Sequence, residues 1–129
     1  MLCQQDKLTL NDGLPIRYIW MDKRVDSEEN KSYLKVFRTV ARVDPYSNET
    51  VLHDKVKAMR ERERVRLIVS ASLSDTVYEE IQKDQNIQSA MVFCKYRQRA
   101  AFLQLHYPRI KAACFNEDEV VETIKRWDQ

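Results

Sequence analysis

Glycine is nearly missing from this 129-residue chain: Gly13 is the single example, where average usage of about 7% would give about nine. Every Gly-rich phosphate loop is excluded with it, because such loops need glycine where the backbone closes on a phosphate. Cysteine is sparse and odd in number. Cys3, Cys94 and Cys114 fit neither a disulfide framework nor a metal knuckle, and they suit a reducing compartment. Net charge is small as well: 22 Lys plus Arg against 20 Asp plus Glu leave +2, which exerts no general pull on a polyanion and argues against nucleic-acid binding. No apolar run approaches the ~20 residues that cross a bilayer, and the start MLCQQDKLTL lacks a basic n-region and a long apolar stretch. The expectation is a soluble, cytoplasmic protein with neither a nucleic-acid nor a membrane partner.

What is present suits one domain. Hydrophobic residues make up 43% and charged residues 33%, enough to build a core and wrap it in a solvated surface, and the length leaves no room for a second core. Residues 1–15 read as an N-terminal arm that closes in the turn Asn11-Asp12-Gly13 ahead of Leu14-Pro15. Residues 16–129 read as a single α/β domain. Within it, residues 16–22 (IRYIWMD), 65–70 (VRLIVS), 87–94 (IQSAMVFC) and 110–115 (IKAACF) are short β-branched, aromatic and apolar runs, the first, third, fourth and fifth strands of the chain. Residues 41–44 give a weaker second strand, stopped by Pro45.

Helical patterns fill the intervals. Ser27 caps the first helix, with Glu28 and Glu29 in its opening turn and Tyr33, Val36, Phe37 and Val40 as its apolar stripe, ending near Val40. Ser47-Asn48-Glu49 opens the second, which carries Leu52, Val56 and Met59; Ser74-Asp75 caps the third, which carries Val77, Tyr78 and Ile81. The fourth spans residues 95–107 with Ala101, Phe102 and Leu105 at helical spacing, and Asn116 opens the fifth, with Val120, Val121, Ile124 and Trp127 inward. Alternation of five strands and five helices predicts a three-layer, doubly wound, parallel five-stranded sheet of flavodoxin-like order 2-1-3-4-5. The near-continuous apolar third strand should be central, with Val69 fully buried, and the weak second strand should lie at an edge.

In such a sheet ligands bind beyond the carboxyl ends of the strands, near the switch point between the first and third. That rule selects Asp22, Lys23 and Arg24; Ser70, Ser72 and Ser74; Cys94 and Lys95; and Asn116, although polar residues at strand ends also serve as turn formers and caps. Lys95 beside Cys94 would lower the thiol pKa, yet His53 and His106 fall on the second helix and the end of the fourth, so no Cys-His pair is expected. No metal-ligand set or cofactor motif stands out. Aromatic and arginine side chains are enriched in interface centres. With Phe102 assigned inward beside Leu105, and Trp127 inward beside Ile124, Tyr96, Arg97 and Tyr107 are left as interface candidates.

The order of elements over residues 16–129 resembles the receiver domains of two-component signalling. Receivers place an acidic pair after the first strand, a phosphate-accepting Asp after the third, a Ser or Thr after the fourth and a Lys after the fifth. Here only Asp22 matches the first of these; the third strand ends in Ser70-Ala71-Ser72, the fourth in Cys94-Lys95 and the fifth in Phe115-Asn116. The resemblance therefore implies a pseudo-receiver with no acyl phosphate and no Mg²⁺ site, since Asp22 alone would have to hold the ion. Residues 16–22 with Ser27-Glu28-Glu29-Asn30, Leu67-Ile68-Val69-Ser70 and Val92-Phe93-Cys94 resemble receiver-like modules that precede ADP-ribosyltransferase domains or TPR arrays in multidomain eukaryotic proteins. This implies a non-catalytic regulatory or docking module, without cofactors, whose partners are other proteins or neighbouring domains, with weak self-association. An alternative rests on the Ser-rich passage of residues 70–80, ending in Glu79-Glu80. It is similar to TIR domains, although Val77-Tyr78 stands where those commonly carry Trp-Cys. That resemblance implies an NAD hydrolase with Glu79 or Glu80 as the catalytic acid, or a TIR-like signalling adaptor.

Overall fold

A strand with no polar face is stable only where both faces are covered. In the computed structural model, which describes residues 14–60 and 62–129, β1 (Ile16–Met21) and β3 (Arg64–Val69) meet that condition inside a five-stranded parallel sheet. With β2 (Val43–Tyr46), β4 (Ile87–Phe93) and β5 (Ile110–Cys114), the order is β2-β1-β3-β4-β5, as the alternation of patterns predicts. The helices are α1 (Glu28–Phe37), α2 (Leu52–Met59, entered through a 3₁₀ turn at Glu49–Val51), α3 (Asp75–Lys83), α4 (Arg97–His106) and α5 (Glu117–Trp127). Most of the expected N-terminal arm lies outside the described residues. Leu14 and Pro15 are tied to β3, their carbonyls accepting from the Arg64 side chain and backbone.

The period of two along each strand divides the core. Ile19, Met21, Leu67 and Val69 face α2, α3 and α4, whereas Tyr18, Trp20, Ile68 and Met91 face α1 and α5. On the α1/α5 side Trp20 meets Phe37 edge-on at 5.2 Å, and Phe93 bridges this pair to Tyr33. Trp20 Nε1 is the one buried side-chain polar atom without a hydrogen-bond partner among the described residues, a cost of about 1–3 kcal/mol that the surrounding apolar contacts must offset.

Charge is buried only where it is matched. Arg17, 8% exposed, donates to Glu63 through Nε and Nη2 at 2.8 and 2.9 Å and to Asp44 through Nη1. Burial alone would lower its pKa, but the two carboxylates outweigh it and raise it. Arg66 donates to Tyr18 Oη and to Asp128 just beyond α5, and lies 5.7 Å over the Trp127 ring.

Three local expectations are corrected. Pro45 does not stop the second strand but sits inside it. Arg42 and Tyr46 carbonyls accept from Tyr18 and Asp22 N–H, so backbone groups at 42, 44 and 46 turn toward β1, and Pro45 points its missing N–H at the open edge. α1 ends at Phe37, not near Val40, because the chain tightens into turns in which Thr39 Oγ1 donates to Val36 O at 2.6 Å. α4 buries Ala100 and Leu103, while Phe102 and Leu105, expected inward, are 47% and 78% exposed. Covering the edge strand β5, α4 needs only one narrow apolar stripe.

Val69 is fully buried. Val69→Asp would place an unpaired carboxylate between two apolar layers, and should cost several kcal/mol out of a typical stability of about 5–15. Chemical denaturation should find the variant unfolded or nearly so; cooperative melting near the wild-type temperature would disprove the central placement of β3.

Candidate functional site

Parallel strands deliver their carboxyl ends to one edge of the sheet, and β1, β3 and β4 there enclose an open cleft of about 740 Å³. It gathers seven of the nine pole candidates, Asp22, Lys23, Arg24, Ser70, Ser72, Cys94 and Lys95, together with Tyr96. Asn116 is elsewhere. Its Oδ1 accepts from Glu119 N–H at 2.9 Å while the Glu119 carboxylate accepts from Phe115 N–H at 2.7 Å, so it opens α5 in the manner of a capping box. Ser74 is the N-cap of α3 but makes no side-chain cap bond, because its hydroxyl donates to Glu49.

Asp22, Lys23 and Lys95 are each engaged from within the chain. Asp22 Oδ1 accepts from Arg24 N–H at 2.8 Å, and Asn30 Nδ2 donates to Arg24 O at 2.8 Å, fastening the loop after β1 to the first turn of α1. Lys23 reaches Glu49 at 3.2 Å. Burial pushes the Glu49 carboxyl up, but the Ser74 hydroxyl and N–H, with Lys23, outweigh it and hold the carboxyl below its usual range. Lys95 pairs with Glu29 at 3.4 Å. The Tyr33 hydroxyl, donating at 2.8 Å, is the main reason that Glu29 stays below the usual carboxylate range, with Lys95 adding to it.

The end of β3 is held from below. Tyr78 Oη donates to Ser70 O at 2.7 Å and accepts from Leu73 N–H at 3.2 Å, and burial pushes its hydroxyl pKa up to about 12. Ser70, 7% exposed, has its hydroxyl 3.3 Å from that of Ser72. Arg99 donates to Ala71 O at 3.2 Å. The expectation that Lys95 activates Cys94 is corrected: Lys95 turns to Glu29, Cys94 Sγ donates to Tyr96 O at 3.4 Å, and burial raises the thiol pKa.

Neither Glu79 nor Glu80 lines this cleft. Glu79 is exposed, and Glu80 lies against His53 of α2 beside a second crevice of about 270 Å³. The hydrogen bond to Glu80 raises the His53 pKa. Of the interface candidates, Tyr96 is 74% exposed and Arg97 is exposed with its guanidinium 4.2 Å over the Phe115 ring. Tyr107 is half-buried, stacked on Tyr78 at 5.6 Å.

Sequence reasoning missed Glu29 and Asn30 as cleft residues. Their positions in the first turn of α1 were explained by the helix dipole and cap alone, and only packing of α1 beside the strand ends turns them to the loops. The chemical capacity of the cleft is limited. Asp22 stands by itself after β1, β3 ends in hydroxyls, and no histidine is among the lining residues to activate Ser70 or Ser72.

No protein-family model matches the sequence, and no curated protein matches it.

A thiol held protonated by burial reacts only at high pH. Alkylation of Cys94 by iodoacetamide, followed by peptide mapping, should rise with pH to a midpoint above about 8.5, the ordinary thiol value. A plateau already reached at neutral pH would show an activated thiolate instead.

Proposed function

We propose that the chain is a non-catalytic regulatory or protein-interaction module with a receiver-like fold, and that it works through the exposed face of α4. The observation that carries this reading is the distribution of exposed large hydrophobic side chains. Among the described residues there are four, Val36, Tyr96, Phe102 and Leu105, and three of them belong to α4 or the residue that precedes it. Elsewhere among the described residues, Val36 apart, such side chains are buried or half-buried in the two layers of core. Exposed apolar side chains concentrated along one helix are a common mark of a contact surface.

The cleft supports the same reading from the other side. A receiver's chemistry needs an acceptor carboxylate at the end of β3, where this chain has Ser70-Ala71-Ser72, and carboxylates clustered around a cation, where it has Asp22. The other acid that lines the cleft, Glu29, is committed to Tyr33 and Lys95. The protein would therefore act by docking, on a second copy of itself weakly and on a protein partner or neighbouring domain.

Light scattering across a concentration series tests the role of α4. The chain should show a mass that climbs above the monomer at several hundred micromolar, and Leu105→Glu should restore the monomeric mass with no loss of thermal stability, because Leu105 contributes little to the core. A strictly monomeric wild-type protein, or a concentration dependence that Leu105→Glu leaves unchanged, would remove α4 as a self-association surface.

A further inference from the structure

Away from the strand-end cleft, packing of α2 on α3 draws three metal-ligating side chains together. His53 is the second residue of α2; Glu80 lies in the second half of α3, and Asp84 follows one turn later at its C-cap. One donor atom from each, an imidazole nitrogen and two carboxylate oxygens, lies within 4.8 Å of the others. His53 Nδ1 and Glu80 Oε1 already touch. Asp84 is fixed by its own turn, Oδ1 accepting from Asn86 N–H at 2.9 Å.

We propose that His53, Glu80 and Asp84 form a binding site for a divalent transition-metal ion of the Zn²⁺ type that bridges α2 to α3. The donor set selects the ion class. One imidazole with two carboxylates suits borderline ions, whereas Mg²⁺ and Ca²⁺ favour sites made wholly of oxygen. The frame exists before the ion arrives, because Leu52, Val56, Val77 and Ile81 of the same two helices are packed into the core. Loading needs no unfolding: the His53 side chain is 58% and that of Glu80 27% exposed.

Binding requires neutral imidazole and ionised carboxylates, so the ion takes the place of the hydrogen between His53 and Glu80: an imidazolium releases one proton to solvent, and a ring already neutral carries its remaining proton on Nε2. Three protein ligands leave at least one position of a tetrahedral ion open. The three ligands together line an open groove of about 550 Å³, from which water or a small anionic ligand would complete the sphere. Arg60 and Lys83 line the same groove. Their charge opposes the ion, so the affinity should fall short of that of a closed structural zinc site.

The test is a titration of the full, ¹⁵N-labelled chain with Zn²⁺ at slightly alkaline pH, followed by amide shifts, and repeated with Co²⁺ to read paramagnetic broadening. Saturable changes should centre on residues 52–54 and 80–86. His53→Ala, at an exposed position, and Asp84→Asn, a near-isosteric change at a half-buried one, are both expected to fold and should each weaken the apparent affinity by at least about tenfold. Retention of wild-type amide positions in β3 will confirm that the variants are folded. The proposal is overturned by changes centred on Cys94 or any other group, by variants that bind within about twofold of wild type, or by the absence of saturable change up to millimolar Zn²⁺.

Discussion

Burial of β1 and β3 on both faces is the constraint from which the rest of the molecule follows. Ile19 and Met21 on one side and Tyr18 and Trp20 on the other are all at 0–1% exposure, so no face of β1 is left for water. Helices must then cover both sides. Each connection between parallel neighbours has to cross over the sheet, right-handed, with a helix in it, which distributes α1 and α5 to one face and α2, α3 and α4 to the other. The same crossovers send every carboxyl end to one pole. A ligand pole is thus a by-product of the core, and its chemistry depends wholly on which side chains happen to stand there.

Here those side chains are spent on the scaffold. Asp22 and Asn30 bind the loop after β1, Glu49 joins Lys23 to the start of α3, and Tyr78 clamps the turn after β3. With so few glycines in the chain, loops that would otherwise need left-handed residues are set by side-chain hydrogen bonds; no described residue has a positive φ. At the other pole Arg17 plays a corresponding part. A buried guanidinium between two carboxylates adds little net stability over an apolar core, but leaving either partner alone would cost more, so the trio specifies the register of β2 against β1 more than it strengthens the sheet. No helix among the described residues is long and apolar enough to cross a membrane.

The strands and their order were legible because apolar runs, caps and turn residues agreed with one another. Val65 to Val69 has no competing helical reading, and Ser27 and Asn116 are caps in the structure as in the pattern. Where two physical rules competed, the pattern misled. Pro45 obeys the rule for edge strands rather than the rule for breakers, which requires knowing the edge. In α4 the stripe Ala101, Phe102 and Leu105 is as regular as the true one, Ala100, Leu103 and Tyr107, and only contact with the sheet chooses between them. Contacts across distance were not legible at all: Arg17 with Glu63 spans 46 residues and His53 with Glu80 spans 27. Asn116 was placed at the correct strand end, but capping claimed its side chain.

The central proposal is that the strand-end pole of this flavodoxin-like sheet carries no phosphoryl-acceptor chemistry. It is tested most directly by incubating the chain with acetyl phosphate and Mg²⁺, and in parallel with beryllofluoride and Mg²⁺, while intact mass and the amide signals of residues 22–24 and 70–73 are recorded. The account predicts an unchanged mass and amide positions that do not move in a saturable way. Stoichiometric phosphorylation of an Asp, or saturable beryllofluoride shifts at Asp22 and Ser70, would contradict it.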